Sequence, residues 1–239
     1  MTIPEEGIRI NKFLSEAGYC SRRAADALVT EGRVSIDGRS ALMGERVFAG
    51  STVCVDDLPV FGNDIRKIYA FYKPVGYISS LSDEQGEGIS SFLTMTERVY
   101  PVGRLDKDSE GLMLLTNDGE LTNRILTAAN GHEKEYEVTV DKKLTDTFLR
   151  ELEKGVTIMN RATGQKIVTA PCKTAYVDEH TFRITIIQGM NRQIRRMCGA
   201  LAYKVVRLKR IRILKLWVGD LKPGEIREVS REELGLEDG

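Results

Sequence analysis

Pro101-Val102-Gly103-Arg104-Leu105-Asp106-Lys107-Asp108-Ser109-Glu110-Gly111-Leu112 runs straight into the apolar segment Met113-Leu114-Leu115-Thr116, and the rest of the chain reads as support for this junction. Gly103 and Gly111 let the backbone turn tightly or approach a ligand closely, while the apolar run anchors the turn to a rigid core. Arg104, Asp106, Lys107 and Asp108 fall between these glycines, directly before what reads as a buried strand. A solvated charged turn would account for them as well as a functional loop does. Segments further along the chain decide between the two.

With 239 residues, 41% apolar and 29% charged, the chain has room for one large domain or two, with packed cores. It contains no apolar run of the roughly 18 residues a membrane span needs, and its N-terminus has no basic region followed by an apolar one. The 4 cysteines, Cys20, Cys54, Cys172 and Cys198, are scattered and form no C-x-x-C pair. A zinc site or disulfide framework is therefore not expected, and a reducing cytoplasm fits. With only 2 histidines, His132 and His180, no metal centre is expected either. Net charge is zero, yet Asn191 to Lys215 holds Arg192, Arg195, Arg196, Lys204, Arg207, Lys209, Arg210, Arg212 and Lys215 without an acid, offset by an acid-rich tail from Asp220. A basic zone on a neutral protein points to nucleic acid bound at a defined site.

Along the chain, Ile10, Phe13, Leu14 and Ala17 have helical spacing within residues 8–18, with Gly18 as a stop. Ser21 should cap a second helix that buries Ala24, Ala25, Leu28 and Val29 and ends at Gly32. Val34-Ser35-Ile36-Asp37-Gly38-Arg39 reads as a strand entering an Asp-Gly hairpin, with Val53-Cys54-Val55 as a closing strand. Pro, Gly and acids in residues 56–66 suggest a linker, which gives domains at 1–55 and 67–239.

In the second domain, strands are expected at 68–72, 134–140, 156–159, 167–168, 172–177, 181–187, 205–213, 216–218 and 226–229. Helices are expected around Leu121 to Leu126, ending near Asn130-Gly131, around Phe148 to Leu152, and after Asn191. Charge on both faces of 205–213 suggests a bulge or an exposed edge. Ser230 and Glu233 have capping-box spacing for a last short helix. Hairpins outnumber βα units, so the class is α+β, with a largely antiparallel mixed sheet.

Arg9-Ile10-Asn11-Lys12-Phe13-Leu14, Ser21-Arg22-Arg23-Ala24-Ala25 and Glu31-Gly32-Arg33-Val34-Ser35-Ile36-Asp37-Gly38 resemble the S4 RNA-binding domain, which makes Lys12, Arg22, Arg23 and Arg33 candidate RNA contacts. Gly103-Arg104-Leu105-Asp106, Lys73-Pro74-Val75-Gly76, Asn130-Gly131-His132-Glu133-Lys134-Glu135-Tyr136 and Gln188-Gly189-Met190-Asn191-Arg192-Gln193-Ile194-Arg195-Arg196-Met197 resemble the RsuA family of pseudouridine synthases, the group that holds RluB, RluE and RluF, and look most like the RluF type.

That resemblance implies isomerisation of uridine in RNA: the N1–C1′ bond breaks, uracil rotates, and C5 bonds to C1′. Asp106 matches the family's catalytic aspartate, Tyr136 its stacking tyrosine, and Arg195 the arginine that pairs with the aspartate. The physical requirements agree. Cleaving a glycosidic bond needs a carboxylate at C1′, and an arginine fork fixes a carboxylate's orientation. Arg104, Lys73, Arg192, Arg196, Arg207, Lys209 and Arg210 would meet RNA.

No cofactor or metal is implied. The expected partner is ribosomal RNA, with the large-subunit 23S species favoured and room for a tRNA as a second target. Small-subunit 16S rRNA and a non-catalytic S4-type binding protein are the alternatives, and a monomer is the default expectation.

Overall fold

The structure, a computed structural model, describes residues 3–62, 65–82, 86–127, 131–159 and 163–236. The helix end expected near Asn130 falls partly outside them. The chain divides into two compact units, one of Met1–Lys67, Met95–Val99 and Asn117–Gly119, the other of Ile68–Thr94, Tyr100–Thr116 and Glu120–Gly239. Among the described residues no helix is long and apolar enough to cross a membrane.

The first unit contains β1 (Ile8–Arg9), α1 (Ile10–Glu16), α2 (Arg22–Thr30), β2 (Val34–Ile36), β3 (Arg39–Ser40), β4 (Arg46–Val47), β5 (Val53–Val55) and β6 (Leu58–Pro59). Ser21 caps α2 as expected: its Oγ accepts from the Ala24 amide at 3.1 Å, which satisfies one of the donors a helix start leaves unpaired. Asp37 and Gly38 both take positive φ, 51° and 80°, the geometry that lets a two-residue turn match the twist of β2 and β3. Ile10, Phe13, Leu14, Ala25 and Val29 of the helices pack on Val34, Ile36, Val53 and Val55.

The linker expected at 56–66 begins later than its composition suggested. Asp56 and Asp57 form a positive-φ turn, at 50° and 64°, and Leu58–Pro59 pairs with β5 in the order β3-β2-β5-β6. The Pro and acids there are turn chemistry.

The second unit contains β7 (Ile68–Lys73), β8 (Tyr100–Val102), β9 (Glu110–Thr116), α3 (Gly119–Leu126), β10 (Lys134–Val140), α4 (Asp146–Lys154), β11 (Thr157–Met159), β12 (Lys166–Val168), β13 (Lys173–Tyr176), β14 (Thr181–Ile186), α5 (Gln193–Ala200), β15 (Val205–Ile213), β16 (Leu216–Trp217) and β17 (Ile226–Glu228). Its main sheet runs β13-β14-β10-β15-β9-β7-β17. The β15–β9 pair is parallel and the other pairs are antiparallel, the mixed sheet that was expected. β7 is buried along its whole length and β9 is buried from Gly111 onward, which is why both read as continuous apolar runs. Leu112, Leu114, Ile211 and Ile213 share a core with Leu121 and Ile125 of α3.

Of the two readings of the charge on 205–213, a bulge or an exposed edge, the bulge is the one observed: β15 is a central strand, and its register against β10 shifts between Glu135 and Tyr136 and between Thr139 and Val140. Its Arg207 and Arg212 meet acids on or beside the neighbouring strands. The capping box, however, forms without its helix: the Ser230 amide donates to Glu233 Oε2 at 3.0 Å and the Glu233 amide to Ser230 Oγ at 3.2 Å, but residues 231–235 only turn. A helix nucleus costs more than one pair of caps returns, and Gly235, at φ +70°, leaves the helical region.

Candidate active site

Antiparallel pairing sets Tyr136 of β10 opposite Arg210 of β15, so the two side chains share a face of the sheet, and alternation adds Lys134 and Leu208 to the same face. These residues line a cavity of about 560 Å³ together with Gly103–Lys107 from the loop after β8 and Gly189–Ile194 before and into α5. Tyr136 is 9% exposed.

The Asp106 loop is fixed from behind. Leu105 is buried, its amide donates to Ser79 Oγ at 2.9 Å, and the same hydroxyl donates to its carbonyl at 2.7 Å. The Ser109 amide donates to the Asp106 carbonyl at 3.0 Å and the Gly76 amide to the Lys107 carbonyl at 2.8 Å. Lys73 Nζ donates to the carbonyls of Pro74 and Ser109, each at 2.8 Å. The Asp106 side chain, 27% exposed, thus stands on a rigid turn at the cavity wall. Pre-positioning of this kind is what a reacting group needs.

Both terminal nitrogens of Arg192 donate to the Asp108 carboxylate at 2.8 Å, and its Nη1 lies 3.5 Å from Asp106 Oδ2. The Arg192 guanidinium, followed by Arg195, holds the Asp108 carboxyl below the usual carboxylate range against the opposing effect of burial. The expected Arg195–Asp106 pair is not formed. Arg195 Nη2 donates to the Asp108 carbonyl at 2.7 Å and to Ser109 Oγ at 3.2 Å, Nη1 donates to the Val205 carbonyl at 3.2 Å, and Nε is 3.4 Å from Asp108 Oδ2. Arg195 lies inside α5 and braces the back of the loop. Arg192 precedes the helix in a left-handed conformation, φ 50°, and meets the carboxylates.

Most of the cations expected to meet RNA are occupied. Lys73 is 0% exposed, on a strand buried along its whole length, and Arg210 only 3%, on the cavity-facing side of a partly buried strand. Neither is a surface contact. Arg207 donates to Glu110 at 2.7 Å, Lys209 lies over the Tyr72 ring, 5.3 Å from its centre, and Arg196 donates to the carbonyls of Met159 and Asn191. Arg212, from the same tract, is held by Glu133 and Glu135. Arg104 stands exposed on the cavity rim. In the first unit Lys12 lies 3.6 Å from Glu16 and Arg33 donates to Asp56 at 2.8 Å, while Arg22 and Arg23 are exposed.

Sequence reasoning missed Lys134 and Ser79. Lys134 has the same strand parity as Tyr136 and could have been found from it; Ser79 carries no local signal. Among the described residues no cluster of His, Cys, Asp and Glu could hold a metal ion.

A family model for RNA pseudouridylate synthase matches residues 67–200, and one for the S4 domain matches residues 8–53. The dual-specificity RNA pseudouridine synthase RluF of Escherichia coli K12 is 42% identical over 234 residues, covering 97% of this chain and 79% of that one. The ribosomal large subunit pseudouridine synthase B of Bacillus subtilis 168 is 34% identical over 233 residues, covering 95% and 93%. A crystal structure of a pseudouridylate synthase, 26% identical, superposes with a TM-score of 0.69 over 95% of this chain and 98% of its own. An S4 domain ahead of a pseudouridylate synthase domain, matched along nearly the whole chain, means that this protein belongs to the RsuA/RluB/RluE/RluF group of RNA pseudouridine synthases, in its RluF type, enzymes that isomerise uridine in RNA.

Proposed function

We propose that this enzyme converts one uridine of large-subunit ribosomal RNA to pseudouridine, with a tRNA as a second target, and that Asp106 is the group that attacks C1′. The observation that carries this reading is the Asp106 carboxylate, fixed on a braced turn at the wall of a nucleoside-sized cavity with Tyr136 on its floor. The name of the Bacillus subtilis relative supports the large subunit, and the dual specificity of the Escherichia coli relative supports a second RNA.

Uridine stacked in RNA must first be extruded, at a cost of a few kcal/mol. Tyr136 then stacks on the extruded base in place of its neighbours. The Asp106 carboxylate bonds to C1′ as N1 leaves. The detached ring is held away from water, turns, and presents C5, which displaces the carboxylate and loses its proton. Arg192 steadies the two acids of the loop, and Arg195 keeps the turn in place.

The test is a pseudouridine map of both ribosomal RNAs and the tRNA pool, by carbodiimide labelling and reverse-transcription stops, in cells with the wild-type gene, without it, and with Asp106→Asn or Asp108→Asn. One large-subunit stop should vanish without the gene and with Asp106→Asn, a loss of at least about a thousandfold in rate, while Asp108→Asn retains about a tenth or more. No lost stop in any RNA would sink the reading. A lost small-subunit stop would move the substrate to 16S rRNA.

A further inference from the structure

Among the described residues Arg210 is the one arginine of its tract that is fully buried. Arg192, Arg195, Arg207 and Arg212 each meet a carboxylate and the half-buried Arg196 donates to the carbonyls of Met159 and Asn191, whereas Arg210 meets no carboxylate among the described residues. It is 3% exposed, its Nε donates to the Leu112 carbonyl at 2.6 Å, and its Nη2 is buried without a partner. A guanidinium cannot shed its proton to escape this cost. A buried guanidinium donor left open is costly and calls for a partner that the described residues do not supply.

Lys134 lines the same cavity, with its Nζ bonded to the His132 carbonyl at 3.1 Å. Burial, then the Arg210 charge, push the Lys134 ammonium below its usual range. The floor beside Tyr136 carries the basic side chains of Arg210 and Lys134, while the wall carries Asp106.

We propose that Arg210, with Lys134 beside it, binds the exocyclic oxygens of the extruded uracil and takes up the negative charge that the ring acquires when the C1′–N1 bond breaks. This rests on the uridine-isomerase reading above. As Asp106 bonds to C1′, the C1′–N1 electron pair leaves with the ring and spreads from N1 onto O2 and O4. C5 later bonds to C1′, displaces the carboxylate and gives up its proton, and N1 takes one up, so the charge is transient. Donors fixed where charge develops act on the rate more than on the binding of the neutral base. The same contacts keep the detached base from leaving.

The experiment is single-turnover kinetics of the full chain on in vitro transcripts of large-subunit rRNA made with UTP or with 5-fluoro-UTP, whose ring is more acidic at N1. Rearranged nucleosides are counted by mass spectrometry of nuclease digests, the fluorinated one as its C5-linked product with water added across C6 and N1, because its C5 has no proton to lose. Arg210→Met should lose about a hundredfold or more in rate on the uridine transcript, with RNA affinity changed less than about threefold. The loss should shrink to about tenfold or less on the fluorinated transcript, and Arg210→Lys should recover part of the uridine rate. An equal loss on both transcripts, or a loss carried by affinity and its salt dependence, would overturn the proposal and make Arg210 a structural or phosphate-binding residue. If Arg210→Met melts far below wild type, Lys134→Met decides by the same readouts. Wild type that rearranges no uridine at all would refute the function itself, a separate result.

Discussion

Lys73 brings an ammonium to a position with no solvent contact. Its Nζ is held by the carbonyls of Pro74 and Ser109, one at each end of the braced site. Burial pushes its pKa down to about 8, against Asp106, Asp108 and Glu110, which favour the charge. The folded chain therefore gives up this proton at a lower pH than the unfolded chain, where the ordinary value of 10.5 applies. Between those values the unfolded state binds more protons, so the Lys73 contribution to stability rises with pH across the window and is lost as pH falls through about 8. The full swing is on the order of 3 kcal/mol. Lys73→Met removes the titration and leaves two carbonyls without a donor, a pH-independent cost of about 1–3 kcal/mol each. Urea unfolding of both proteins is expected to show a difference that is flat below the window and grows in favour of wild type across it. A difference that stays constant to the top of the window would show that the ammonium is not buried in solution.

The element that orders the site is the parallel crossing of β9 and β15, where Gly111 sits opposite Arg210. Gly111 has φ +105°, and a Cβ there would lie 2.3 Å from the Arg210 carbonyl oxygen and 2.8 Å from its amide nitrogen. Backbone atoms of two central strands cannot yield, so Gly111→Ala should cost about 2–4 kcal/mol, read as a fall in urea midpoint with the slope unchanged. A cost under about 1 kcal/mol would mean that the two strands can part at the crossing. The glycine was legible beforehand as a place where the backbone turns tightly or a ligand comes close, and what comes close is the Arg210 backbone of β15. So were the Ser21 cap and the Asp37-Gly38 turn, because each depends on bonds to residues next to it. The central place of β15 was not legible. Its partners β9 and β10 lie far back in the chain, and of the charges that suggested an edge Arg207 is answered by Glu110 on β9 and Arg212 by Glu135 on β10 and Glu133 just before it. The choice between Arg192 and Arg195 at Asp106 turned on one left-handed residue ahead of α5, which residue types alone do not disclose.

At the scale of the whole molecule, about half of a basic tract in sequence has become paired charges in space. With Lys+Arg and Asp+Glu equal at 35 each, the fold brings acids to Arg192, Arg207 and Arg212 and buries Arg210. The grip on RNA phosphates must then come from cations left exposed, of which Arg22 and Arg23 at the start of α2 are the clearest in the first unit. Each phosphate they neutralise releases counterions and adds about 0.7–0.9 to the slope of log K against log salt. Arg22→Gln with Arg23→Gln should therefore lower that slope by about 1.5, measured by filter binding of substrate RNA over a salt series. Arg207→Gln should leave it nearly unchanged, because Glu110 already holds that charge at 2.7 Å and RNA would have to displace a carboxylate to use it. If the Arg207 variant flattened the slope and the double variant did not, the Arg207–Glu110 ion pair would be opening when RNA binds, and its neutrality would be a property of the free enzyme alone.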